Sequence, residues 1–321
     1  MEKEEFLKHM NLFGENYNSL FSNLNNLDEK HYIGKTKNKV CRFCALDETE
    51  TTFDTIAHAI PECLGNKTII CLDECDTCNK KFAENLENHL AAITLQHRTI
   101  NMIKGKKKIP SYQTQNQKEK INVENAENKF FKIIARENSD FIKLNEKNKS
   151  IRMEYDLPSH IPSAAYKTLV KMSLSIMPNE ELNNFELMNN WIQEKNHSKS
   201  FMNPLNVLMT FIPGINPLKE TIVFLFKKKS ANMKYPECTF ILAFGNVMYQ
   251  IIVPTDIEIQ QAKSTKTILK FLSPFEMNWR LGEPTHKTLD WSQRTKLKGH
   301  KEAMEFSYDK IKHLDPSSIK L

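Results

Sequence analysis

Apolar positions along the chain change period several times, and each change predicts an element. Residues 2–29 place Phe6, Leu7, Met10 and Phe13, then Leu20, Phe21, Leu24 and Leu27, near helical spacing, which predicts two helices broken around Gly14. Phe82, Leu86, Leu90 and Ile93 recur at steps of four, four and three. That is the pattern of a helix burying one side, expected to run to about residue 102. Short runs at 130–134 (FFKII) and 151–155 (IRMEY) predict strands within 120–156. Pro158 and Pro162 interrupt. Ser163 then offers an N-cap for a helix through Ala164, Leu169, Val170, Leu174 and Met177, ended by Pro178. Another helix is expected over 181–195. The runs 206–212, 221–226, 239–244 and 247–253 read as an antiparallel sheet of at least four strands, the last two joined by the hairpin signal Gly245-Asn246. A final helix is expected over 300–313.

The pattern is α+β, and 321 residues suggest about two domains. With 40% hydrophobic and 26% charged residues, full-length disorder is excluded. Glycine is sparse, 8 residues, and the sequence contains neither GxGxxG nor GxxxxGK[ST], which argues against dinucleotide or nucleoside triphosphate chemistry. Lys and Arg exceed Asp and Glu by 45 to 39, a net charge of +6 that permits a polyanionic partner. The first residues, MEKEEF, are acidic where an export signal is basic, and no apolar run approaches the ~20 residues that cross a bilayer. A cytoplasmic protein without a membrane partner is expected.

The cysteines sharpen this picture. Six of the seven lie between Cys41 and Cys78. In a long chain with no export signal, clustered thiols point to metal rather than to disulfides. Cys41 with Cys44 (CRFC) and Cys75 with Cys78 (CDTC) have knuckle spacing; each pair bends round one ion, and two pairs complete a tetrahedral thiolate site for structural Zn2+. The 30 residues between the pairs exceed the roughly 15–20 of a common ribbon, so an insert is expected. Cys63 and Cys71, inside it, read as small apolar fillers with a ligand role as the alternative, and Cys238 as core.

The insert reads FDTIAHAIPECLGNKTIICLDE. His58 precedes Pro61 by three residues, Leu64, Gly65 and Asn66 follow, and Asn79 stands directly after Cys78 with Phe82 three residues on. CxxC, HxIPExLGN and CxxCN in this order resemble the HNH endonucleases of the zinc-ribbon type, in the ββα-metal (His-Me finger) superfamily, over residues 41 to about 90. The resemblance implies a ββα-metal HNH module with a four-cysteine zinc site, in which two antiparallel strands carry His58 as general base. A helix carries Asn79 as ligand of a catalytic Mg2+ or Mn2+. The residue types suit the reaction. Imidazole accepts a proton from water near neutral pH, and a hard cation held by an amide oxygen and waters offsets charge on the scissile phosphate. The expected division is a helical segment 1–38, the nuclease module 39–103, a basic loop with short strands 104–157, and a larger α+β recognition or sensor domain 158–321.

Two positions depart from the family's pattern. Many members carry Asp, Glu or His immediately before the base, and here that residue is Ala57; some carry a second ligand four residues beyond the Asn, and here that residue is Ala83. Glu87, eight residues along a regular helix, would be about 12 Å and 80° from Asn79. The helix is therefore expected to offer one ligand, with Glu62 and Asp73 as candidate helpers for magnesium. Asn66 is the nearest candidate for the middle Asn of the family name, bracing the loop under the histidine, or else a turn residue. KGKKK at 104–108 reads as a loop, either solvated or lying along a DNA backbone; Lys80 and Lys81, beside Asn79, carry the same two readings. The expected function is a DNA endonuclease of the restriction or phage-defence kind, whose carboxy-terminal domain selects a target or answers a partner protein or small-molecule trigger. RNA stays open as a substrate, because the catalytic parts do not read the sugar. Ala57 favours the alternative, a catalytically silent zinc-ribbon nucleic-acid-binding or adaptor protein.

Overall fold

The computed structural model describes residues 11–24, 27–114, 118–125, 130–136, 139–214, 216–230, 235–265, 282–308 and 310. A short helix α1 (Asn11–Asn16) leads into strand β1 (Tyr17–Ser22), where helical spacing predicted a second helix; residues 2–10 of that expectation lie outside the described residues. β1 pairs antiparallel with the strand Leu218–Lys228, and the Tyr17 hydroxyl donates to the Pro236 carbonyl. Tyr and Phe suit a pleated, half-buried edge, and long-range pairing outweighs a spacing that fits helix only loosely.

Strands β2 (His31–Ile33), β3 (Ala57–His58) and β4 (Ile69–Cys71) form a small sheet in the order β2-β4-β3, with β3 antiparallel and β2 parallel to β4. Helix α2 (Asp76–Phe82) passes through a π-helical turn, Ala83–Glu87, into α3 (Asn88–Ile93), and α4 (Leu95–Ile100) follows after a break at Thr94. Two further three-stranded antiparallel sheets come next. One joins β5 (Tyr112–Gln113), β6 (Lys120–Asn125) and β7 (Phe130–Ile134); the other begins with β8 (Ile142–Asn145) and β9 (Ser150–Asp156).

Helix α5 (Pro162–Ser175) starts two residues earlier than expected. Pro162 occupies its first position and Ile161 its cap, so Ser163 is not the N-cap; its backbone N–H donates to Gln293 O. Proline is favoured at a first helical position because its missing N–H is not needed there. Then α6 (Asn179–Leu182), a 3-10 turn (Asn183–Phe185) and α7 (Glu186–Gln193) cover 179–193. Strands β10 (Asn206–Phe211), β11 (Leu218–Lys228), β12 (Cys238–Gly245) and β13 (Val247–Val253) fall where the apolar runs predicted. After α8 (Asp256–Thr265), β14 (Thr285–Asp290) completes a six-stranded antiparallel sheet, β1-β11-β12-β13-β10-β14. β15 (Lys301–Ser307) replaces the expected final helix and pairs antiparallel with β9; 309 and 311–321 lie outside the described residues. Lys, Glu, Ala and Met favour helix, but the inward side chains are Glu302, Met304 and Phe306, a period of two.

Every residue of α5 is buried, because the helix lies between the π turn and α3 on one side and strands β12 and β13 on the other. One continuous apolar core therefore runs from Phe43, Ile60, Phe82 and Leu86 through Leu169 to Phe240 and Tyr249. A second cluster, Ile222, Phe224, Ile241 and Met248 with Tyr17 and Leu24, covers the other face of the large sheet. Among the described residues no helix is long and apolar enough to cross a membrane.

Candidate functional site

Both CxxC turns converge. One sulfur from each of Cys41, Cys44, Cys75 and Cys78 lies within 4.8 Å of every other, and Cys44 Sγ to Cys75 Sγ is 3.7 Å. A tetrahedron with 2.3 Å zinc–sulfur bonds has edges of about 3.8 Å, so the donor set fits zinc. Cys75 caps α2, and the backbone N–H groups of Cys75 and Cys78 point at Cys41 Sγ and Cys75 Sγ. A hydrogen bond from Cys78 pulls the Cys41 thiol down to about 5; the same bond pushes Cys78 up, and burial pushes Cys44 up to about 11. Four thiols so crowded do not all ionise without a cation between them. Cys63, Cys71 and Cys238 fall outside the tetrad, the last two buried as fillers.

The first knuckle is clamped from outside. Arg42 forms a two-pronged ion pair with Asp73, at 2.7 and 3.0 Å, and donates to the carbonyls of Leu174, Ser175 and Met177 at the end of α5. Leu174 O also accepts from the Ile176 and Met177 N–H groups, so Arg42 adds a charged donor where the helix ladder ends. Both carboxylate oxygens of Asp73, read from the sequence as a candidate magnesium helper, are engaged by Arg42. Asn189 and Gln193 of α7 both donate to Phe43 O.

His58 ends β3, paired with Ile70 of β4. Its Nε2 lies 3.8 Å from Glu62 Oε1, and its Nδ1 is buried with no hydrogen-bond partner among the described residues. Burial lowers its pKa, more than the Glu62 carboxylate raises it, and the Lys171 and Lys106 ammonium groups lower it further. The ring is therefore neutral near pH 7, the form a base needs. The loop that follows is tied down by side-chain hydrogen bonds. Buried Asn66 donates to Ile60 O and Ile69 O and accepts from the N–H groups of Thr68 and Ile69, bracing the chain beneath the histidine. Gly65 ends the 3-10 turn Glu62–Leu64 at φ +93°, a conformation in which a side chain is strained.

Asn79, half-buried, stands in the first turn of α2 one residue past a tetrad cysteine, its N–H bonded to Cys75 O. The π turn changes the helix phase. One extra residue is absorbed, so Glu87 returns to within about 20° of Asn79 rather than 80°, though still about 10 Å along the axis. There Glu87 meets a group that sequence reasoning missed. Lys171 Nζ, from α5, lies 3.0 Å from Glu74 Oε2 and 3.5 Å from Glu87 Oε1, and donates to the His58 carbonyl at 3.2 Å. Lys171 and Glu74 are fully buried. A signal did exist, since a lone lysine inside the apolar stretch LVKMSLSIM must find partners if its helix is buried.

Among the described residues, no second group of three or more His, Cys, Asp or Glu side chains converges as the tetrad does. No match to the chain was found among curated proteins or solved structures. Residues 41–93, which hold both knuckles, His58, Glu62, Asn79 and Glu87, match the model of a family described as HNH endonuclease, so this segment is an HNH module with a cysteine set compatible with zinc.

Proposed function

We propose that the protein is a metal-dependent endonuclease that hydrolyses phosphodiester bonds of DNA. The observation that carries this reading is the coincidence of the family match with a neutral histidine on a strand and an asparagine next to a zinc-compatible tetrad. His58 Nε2 takes the proton of the attacking water, and the Glu62 carboxylate beside it stabilises the imidazolium that results. Asn79 offers its amide oxygen to a magnesium or manganese ion, which when bound supplies positive charge at the scissile phosphate and the departing oxygen. A zinc held by the tetrad would be structural: it would tie the Cys41–Cys44 knuckle to the start of α2, the helix that carries Asn79. The larger sheet domain selects the target or answers a trigger, in a restriction or phage-defence setting.

Plasmid nicking with magnesium or manganese tests this. Wild-type protein should cut, and His58→Ala and Asn79→Ala should each lose at least about 100-fold, within the range of a general base. Ala57, which removes a flanking ligand found in many relatives, favours a second reading of a zinc-dependent DNA binder without catalysis. Retention of DNA in a gel shift with no cleavage in any divalent ion would select that reading.

A further inference from the structure

The basic run 104–108 is placed against the candidate site rather than away from it. Gly105 lies flat on the 3-10 turn that follows His58: a Cβ there would stand 3.3 Å from Cys63 Cα and 3.6 Å from Glu62 O. A side chain there would press on the turn and require it to give by a few tenths of an ångström. The loop is anchored at its start. Ile103 is buried and bonds through its N–H to Arg98 O, and Arg98 donates in turn to Cys63 O. Lys104, Lys106, Lys107 and Lys108 are all exposed. Lys106 Nζ is 4.0 Å from Glu62 Oε2, whose other oxygen faces His58. Among the described residues no ion pair engages Lys107 or Lys108. Four cations in five residues, beside one carboxylate, form a surface suited to a polyanion and continuous with the base.

We infer that Lys106, Lys107 and Lys108 bind the phosphate backbone of duplex DNA beside the scissile bond. The identity of the polyanion rests on the nuclease reading above. These lysines position the strand without reading its sequence, as phosphate contacts do.

The test measures binding of a duplex DNA oligomer in the His58→Ala background, which avoids cleavage without a chelator that would strip zinc. Each phosphate contact contributes about 0.9 to the slope of log K against log salt. The triple variant K106A/K107A/K108A should flatten that slope by about 2 to 3 and bind more weakly at low salt, while K106R/K107R/K108R should keep both. An unchanged slope in the alanine variant overturns the inference. An equal loss in the arginine variant, at normal zinc content, also overturns it, because charge is then not what matters. A change seen with duplex RNA and not with DNA overturns the choice of DNA. Because the readout is binding by a non-cleaving protein, a flattened slope supports the inference even if wild-type protein never cuts. Conversely, His58-dependent cleavage with an unchanged slope sinks the lysine assignment alone.

Discussion

His58 and Lys171 show how far single residues explain the site. The imidazole sits on a two-residue strand, half-buried, with one nitrogen sealed from solvent, and its burial sets the sign of the pH dependence. Below its pKa the ring is protonated and cannot accept a proton, so cleavage should rise with pH, half-maximal below the ordinary value near 6.5. Glu62 raises that pKa, so Glu62→Gln should move the acid limb of log kcat/KM to still lower pH; a move to higher pH would contradict the assignment. Lys171 is a different case. Removing one member of a buried charged group leaves the others uncompensated, at a cost of about 3–5 kcal/mol. Lys171→Met should lower denaturant stability by that order, and Glu74→Gln added to it should restore part of the loss. Sequence spacing singled out the cysteines, His58 and Asn79 because each is defined by local order along the chain. It did not give the partners of Lys171, Glu74 and Arg42, because Lys171 meets Glu74 across 97 positions and Arg42 meets Leu174 across 132.

Among the elements, continuous apolar runs made β10 to β13 legible, since a strand buried on both faces carries the pattern in every residue. The edges were not legible. β1 and β15 owe their conformation to partners, β11 and β9, and the helix-forming residue types of β15 concealed its alternation. That alternation is testable. Met304→Ala should cost about 2 kcal/mol or more, as for a core methionine, whereas the exposed neighbour Glu305→Ala should stay within about 0.5 kcal/mol; equal effects at both would argue against the strand. The π turn was equally invisible, because the spacing of Phe82, Leu86 and Leu90 is the same with or without it. Its consequence is the approach of Glu87 to Lys171.

On the scale of the whole molecule, α5 is the piece that joins the HNH module to the large sheet. Its last carbonyls are held by Arg42 of the first knuckle, and its Lys171 reaches the strand bearing His58. Chemistry and target selection, if divided between module and sheet, share one apolar core. Metal removal should accordingly be felt well beyond the ribbon. Elemental analysis should find one zinc per chain, and Cys75→Ser should unfold the module rather than merely slow it; a folded, zinc-free protein would remove the structural role of the tetrad. The most direct test of the central claim is anomalous scattering from crystals grown with manganese and a DNA duplex. The account predicts a zinc peak bonded to four sulfurs at about 2.3 Å and a manganese peak on the Asn79 amide oxygen, with the His58 ring across the same phosphate. Manganese bound elsewhere, or a phosphate that His58 and Asn79 do not share, would contradict it.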